Sequence, residues 1–237
     1  RGDWQAFEQQ RPPLLQDDLE IRCYAWLARL ARADDGAYEE AKPVWQEPRE
    51  LPESCHDIAD RMITQQRFSV DDVWRRARLL FESGQIAAAR RVLVHLPASE
   101  KHDEWLLNQA ATAPRKFLAS PPRNLERRAA REMLLFAVVR LGRTEPEAAA
   151  ELLRSSLGAR LPAEDAKYLW GRVAFEGARR LLPDAHRWYA LADVAQLNDE
   201  QLAWKARAAL RAADWQAVRD AIDRMSLAAR QDPASSY

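Results

Sequence analysis

The residues that could do chemistry are few. The chain has four histidines, His56, His95, His102 and His186. Cys55, His56 and Asp57 put a thiol, an imidazole and a carboxylate side by side, the groups a nucleophilic cysteine site needs. Sequence neighbours project in different directions from a helix, so adjacency counts against mutual contact. His102, Asp103 and Glu104 offer an imidazole and two carboxylates to a metal. No second His stands at the four-residue spacing of a helical zinc motif, and the run reads as a solvated helix start. Arginines cluster at Arg75, Arg76 and Arg78, at Arg90 and Arg91, at Arg127, Arg128 and Arg131, and at Arg179 and Arg180. Acids are interleaved, which suits a solvated face of weak ion pairs; the other use is a groove for an anionic polymer. The tryptophans divide too. Trp74, Trp170 and Trp204 sit at helical core spacing, whereas Trp45, Trp188 and Trp215 lie near turns or helix ends, where a ring can stack on a sugar. No catalytic set, cofactor site or metal site follows from these residues.

Composition narrows the classes further. The 237 residues carry 36 basic and 36 acidic side chains, a formal net charge of zero. No overall field steers the chain toward nucleic acid or an anionic membrane. Only five of the basic residues are Lys, an Arg bias that genome composition explains as well as a site does. With 7 Gly, the chain has no Gly-rich phosphate loop. The longest apolar run, Met133–Val139, is far too short to span a membrane. Two cysteines, Cys23 and Cys55, can close one disulfide or remain two separate buried thiols, and the count alone leaves both open.

The elements that must position these residues are helices. Apolar residues recur at helical spacing in Leu19, Cys23, Trp26, Leu27 and Leu30; in Val73, Ala77, Leu80 and Phe81; and in Ile86, Ala89, Val92, Leu93 and Leu96. Later stripes run over Met133–Leu141, Ala148–Leu157, Tyr168–Phe175 and Leu202–Leu210. Strand alternation and Asn-Gly turns are absent. Prolines punctuate the helices at Pro12, Pro13, Pro43, Pro48, Pro52, Pro97, Pro114, Pro121, Pro122, Pro146, Pro162, Pro183 and Pro233. Thr144–Glu147 offers a Thr cap, a first-turn Pro and an acid for the positive helix end. Leu161–Ala166 also places Pro and two acids in an early turn.

One unit repeats. Arg78–Leu96 aligns without a gap on Arg207–Met225. Ala77 meets Ala206, Phe81 meets Leu210, Gly84 meets Ala213, Leu93 meets Ile222 and Leu96 meets Met225. Arg29–Trp45, with its small-residue turn at Gly36, is a relative with one insertion, and Val138–Leu153 is a looser one. The shared pattern is a large apolar residue, a small turn residue, then Ala on the next helix, so that two antiparallel helices cross closely. Gly36, Gly84 and Ala213 are the expected repeat turns. A single hairpin cannot bury its own stripe, so the units are expected to stack. The predicted fold is all-α, a tetratricopeptide-like α-solenoid of antiparallel helix hairpins, and a compact bundle suits the repeat spacing less well.

The order of features from Asp18 to Ile63 resembles a segment of the soluble lytic murein transglycosylases: a helix with Cys23 and Tyr24, a turn at Gly36, Trp45, then Pro52–Cys55 opening another helix. Val73–Leu93 and Asn198–Met225 resemble later helical repeats of that family, and Arg1–Phe7 the end of a preceding one. The resemblance implies one superhelical domain over residues 1–237, U-shaped or ring-like, in the periplasm. It also implies a disulfide between Cys23 and Cys55, which by chain entropy contributes about 3–4 kcal/mol. The family cleaves peptidoglycan between its two amino sugars and leaves a 1,6-anhydro product, with one Glu as acid and then base rather than a two-carboxylate pair. That Glu lies in a C-terminal lysozyme-like domain, within Glu-Ser followed by Gly-Leu-Met-Gln. The pairs Glu53–Ser54 and Glu82–Ser83 lack this sequel, so no catalytic residue is carried over.

The chain is therefore expected to be the scaffold portion of a longer periplasmic lytic transglycosylase. Its expected partners are peptidoglycan, through the full-length protein, and the missing catalytic domain; nucleic acid and a membrane span are not expected. The last stretch, Ala229–Tyr237, stands where another repeat would begin. The alternative is a stand-alone repeat protein that holds another protein's helix or tail in its concave face. An enzyme with an unrecognised site in this chain is the third reading.

Overall fold

The computed structural model describes residues 18–47 and 50–231. Arg1–Phe7, Pro12, Pro13, Pro48, Pro233 and the end of Ala229–Tyr237 lie outside them. Among the described residues there are helices, turns and loops, and no strand. They divide into two compact units at Lys101 and His102.

The first unit holds α1 (Leu19–Leu30), α2 (Gly36–Trp45), α3 (Glu53–Thr64), α4 (Val70–Glu82) and α5 (Ile86–Leu93). Helix α1 packs on α2 and α3, α2 on α3, and α4 on α5. The Trp45 ring stacks on Phe68 with centroids 5.0 Å apart. His95 meets Asp60 at 3.0 Å and ties the segment after α5 to α3.

The second unit holds α6 (Glu104–Thr112), α7 (Pro114–Ala119), α8 (Arg128–Gly142), α9 (Pro146–Arg154), α10 (Ser156–Ala159), α11 (Ala163–Arg179), α12 (Ala185–Tyr189), α13 (Asp199–Arg211), α14 (Trp215–Arg224) and α15 (Leu227–Gln231). Its centre is α8, which touches α6, α7, α9 and α11. Residues Met133–Val139 are all buried there. A helix apolar all round has to be enclosed by other helices. Beyond it α11 packs on α12 and α13, and α13 on α14, so that chain neighbours are space neighbours.

Helix starts follow local chemistry. Ser69 and Asp72 form a capping box on α4, and Asn198 and Gln201 form one on α13. Two local expectations turn out differently. Thr144 does not cap α9; Glu145 holds that position, and the Thr144 hydroxyl donates back to the Leu141 carbonyl at 3.2 Å. Pro43 does not break α2 but sits inside its last turn. There the ring removes one ladder hydrogen bond, and the helix ends two residues later.

The helix ends share one device. Ala33, Gln66, Gly84, Leu181 and Ala213 have φ of 60°, 56°, 80°, 60° and 55°. They follow α1, α3, α4, α11 and α13. In each case the next N–H reaches back five residues: Asp34 to Arg29, Arg67 to Met62, Gln85 to Leu80, Leu182 to Gly177 and Asp214 to Ala209, at 2.8–3.0 Å. This is the Schellman closure of a helix by a left-handed residue. Gly84 and Ala213, register-matched in the sequence, occupy the same step of it. Gly36 is instead the first residue of α2, and the left-handed residue of that turn is Ala33.

Candidate functional site

Cys55 does not pair with His56. Its sulfur is bonded to Cys23, with Cα atoms 5.1 Å apart, and both residues are buried at the α1–α3 contact. The His56 ring bonds the Leu51 carbonyl at 2.9 Å. No thiolate is free to attack, and the imidazole is aimed elsewhere. At the second candidate, Asp103 caps α6 by accepting from the Trp105 N–H at 2.8 Å, and His102 meets Glu104 at 3.1 Å. Among the described residues no three His, Cys, Asp or Glu side chains converge as metal ligands do.

Several arginines, some in the clusters and some outside them, do something that sequence reasoning missed. Arg140 on α8 donates to the Ala111 carbonyl at the end of α6 (3.2 Å). Arg180, just past α11, donates to the Arg143 carbonyl just past α8. Arg211 on α13 donates to the Ala178 carbonyl at the end of α11 (3.3 Å). In the second unit α8, the turn after α11, and α13 thus each send a guanidinium to the carbonyl end of an earlier helix. In the first unit, Arg76 does the same to Glu47, just past α2, and lies over the Trp45 ring at 5.6 Å. Buried carboxylates bind other members of the clusters: Asp165 meets Arg131 at 2.9 Å and Glu176 meets Arg180 at 3.1 Å. Arg75, exposed and 3.4 Å from Asp72, and Arg179, exposed and 3.8 Å from Glu176, keep to a solvated face of weak pairs, whereas Arg76, Arg131 and Arg180 do not. The available signal was spacing, since Arg140, Arg180 and Arg211 fall near the ends of successive first helices.

Electrostatics elsewhere is local. The Arg29 side chain bonds Asp34 (2.7 Å) and Glu40 (2.8 Å) and holds both carboxyls below their usual values, helped at Glu40 by the Trp26 indole N–H. The Ser226 backbone N–H and hydroxyl hold Asp199 low. Burial pushes the Tyr189 phenol up and the Lys205 ammonium down.

Of the tryptophans singled out in the sequence, Trp45, Trp74, Trp170 and Trp188 are buried, Trp204 is half-buried, and Trp215 is exposed. Among the described residues, two grooves open in the second unit. One of ≈ 640 Å³ is lined by Arg123, Asn124, Glu126, Arg131 and Arg160. Its Arg160 is committed to the Pro122 and Arg123 carbonyls. The other, ≈ 350 Å³, has apolar walls from Leu118, Leu141 and Leu152 and an Arg115–Glu145 ion pair nearby. The arrangement can hold a shape and a surface.

The fold is similar to solved structures, three of which follow. One is an inactive mutant of the lytic transglycosylase Slt from Pseudomonas aeruginosa, at TM-score 0.64 and 19% identity, covering 99% of this chain and 38% of that one. Another is the 70-kDa soluble lytic transglycosylase in complex with bulgecin A, at TM-score 0.53 and 18% identity, covering 97% and 38%. The third is the 70-kDa enzyme from Escherichia coli, with the same scores and coverage. The chain shares its fold with the matched part of these lytic transglycosylases. It spans well under half the length of each transglycosylase. No protein-family model and no curated protein sequence matches it. Among the described residues no helix is long and apolar enough to cross a membrane.

Proposed function

We propose that the chain is the helical scaffold of a periplasmic soluble lytic transglycosylase, with residues 1–237 acting as one repeat array. One observation carries this reading: a match over 99% of this chain to the lytic transglycosylase Slt, at TM-score 0.64. The disulfide between Cys23 and Cys55 suits an oxidising compartment. The site geometry supports a role by form, because Arg76, Arg140, Arg180 and Arg211 are spent on carbonyl ends and Arg131 on a buried carboxylate.

In this reading peptidoglycan is cleaved by a lysozyme-like domain elsewhere in the longer polypeptide, and the stacked hairpins hold that domain and shape the space beside it. The test is digestion of purified sacculi. The 237-residue chain releases no 1,6-anhydro muropeptides, while the full product of its reading frame does. Release of such products by the 237-residue chain itself would overturn the proposal, as would a full product that leaves sacculi intact.

A further inference from the structure

Two residues of opposite charge line one groove in the second unit and do not meet. Arg123 and Glu126 belong to the loop between α7 and α8, both are exposed, and both line the groove of ≈ 640 Å³. Among the described residues neither side chain has an ion pair. Leu125 and Leu161, both buried, and Pro162 give the same groove an apolar part.

The loop is irregular but held at many points. Arg131 on α8 donates to the Leu125 and Glu126 carbonyls at 2.9 and 3.4 Å and to Asp165 at 2.9 Å. Arg160, just past α10, donates through Nη2 to the Pro122 and Arg123 carbonyls at 3.0 and 2.9 Å. The Asn124 side chain accepts from the Glu126 and Arg127 N–H groups at 3.1 and 3.3 Å. Four loop carbonyls thus rest on two guanidiniums. Among the described residues the Nε and Nη1 donors of Arg160 and the guanidinium of Arg123 have no hydrogen-bond partner. A guanidinium already fixed, as that of Arg160 is, loses little freedom when a ligand arrives.

We infer that this groove binds a short acidic peptide with a free amino terminus. Its carboxylates meet Arg123 and Arg160, its ammonium meets Glu126, and its aliphatic side chains lie over Leu125, Leu161 and Pro162. The mixed sign of the lining selects this occupant. A planar guanidinium takes a carboxylate in two parallel hydrogen bonds. A phosphate polymer has no cation for Glu126 and brings like charge against it, and Asp165 already offsets Arg131. The volume falls within the range of small-ligand sites. The groove lies wholly within the second unit, so peptide binding does not depend on the scaffold reading.

Titration of the 237-residue chain with the peptide Ala-Leu-Glu-Glu, followed by NMR, tests this. The parent binds the peptide saturably. Arg123→Glu weakens binding by about ten-fold or more, the size of a lost charge-assisted hydrogen bond, and leaves Tm unchanged. N-acetylation of the peptide weakens binding several-fold on the parent and makes no difference on Glu126→Gln, because ammonium and carboxylate act as a pair. Inorganic pyrophosphate and phosphatidylglycerol vesicles bind the parent more weakly than the peptide does. Absence of saturable binding overturns the inference. So does an Arg123→Glu protein that binds like the parent, or an acetylated peptide that binds the parent as well as the free one. Pyrophosphate or vesicles that match the peptide overturn it in favour of a general anion site. The acetylation comparison on the parent needs no substitution, so it decides even where Arg123→Glu lowers Tm.

Discussion

At the scale of single residues, stability rests on close approach and on a few carboxylates. A Cβ on Gly177 would lie 2.6 Å from the Trp188 ring, which is itself fully enclosed. Gly177→Ala therefore forces α11 and α12 apart and costs about 1–3 kcal/mol, readable as a fall in the urea midpoint. The carboxylates set the response to acid. Asp34, Glu40 and Asp199 have folded values held below their unfolded ones, by Arg29 for the first two and by Ser226 for the third. Their stabilisation is complete above about pH 5 and is lost as pH falls through the folded values. Asp199→Asn removes one contributor, so Tm falls less steeply with acid below about pH 4 than in the parent. Little of this was visible beforehand. Asp165, read as a first-turn acid for a helix dipole, turns inward to Arg131, because the facing helix happens to carry the partner.

The elements were easier to read than their ends. Period-3.6 stripes located the hairpins because an apolar face must be enclosed wherever it occurs, and Phe81, Leu93 and Met133–Leu141 carried that signal. Turn chemistry was legible only at Gly84 and, through its alignment, at Ala213. Ala33, Gln66 and Leu181 adopt left-handed backbone without glycine, since the paired N–H···O=C closure and the packing behind it outweigh the local preference. That preference still has a size. Ala213→Gly raises stability by about 0.5 kcal/mol, and Gly84→Ala lowers it by about 1 kcal/mol, in equilibrium unfolding. The arginine-to-carbonyl contacts belong to this scale too. Arg140→Met leaves the Ala111 carbonyl without its guanidinium and costs about 1.5–3 kcal/mol, with faster amide exchange at the end of α6.

For the whole molecule, both cysteines fall in the first unit and none in the second. Cys23→Ser with Cys55→Ser lowers the first unit's stability by about 3–4 kcal/mol and leaves the protection of α8 and α11 unchanged in hydrogen exchange. Equal loss in both units would show that they unfold as one body. The bridge has another use. Cys23 and Cys55 are 1% and 4% exposed, so a water-soluble phosphine meets sulfur only when the first and third coils momentarily part. The pace at which native protein yields titratable thiol is therefore a clock for that breathing, built into the chain without any added label.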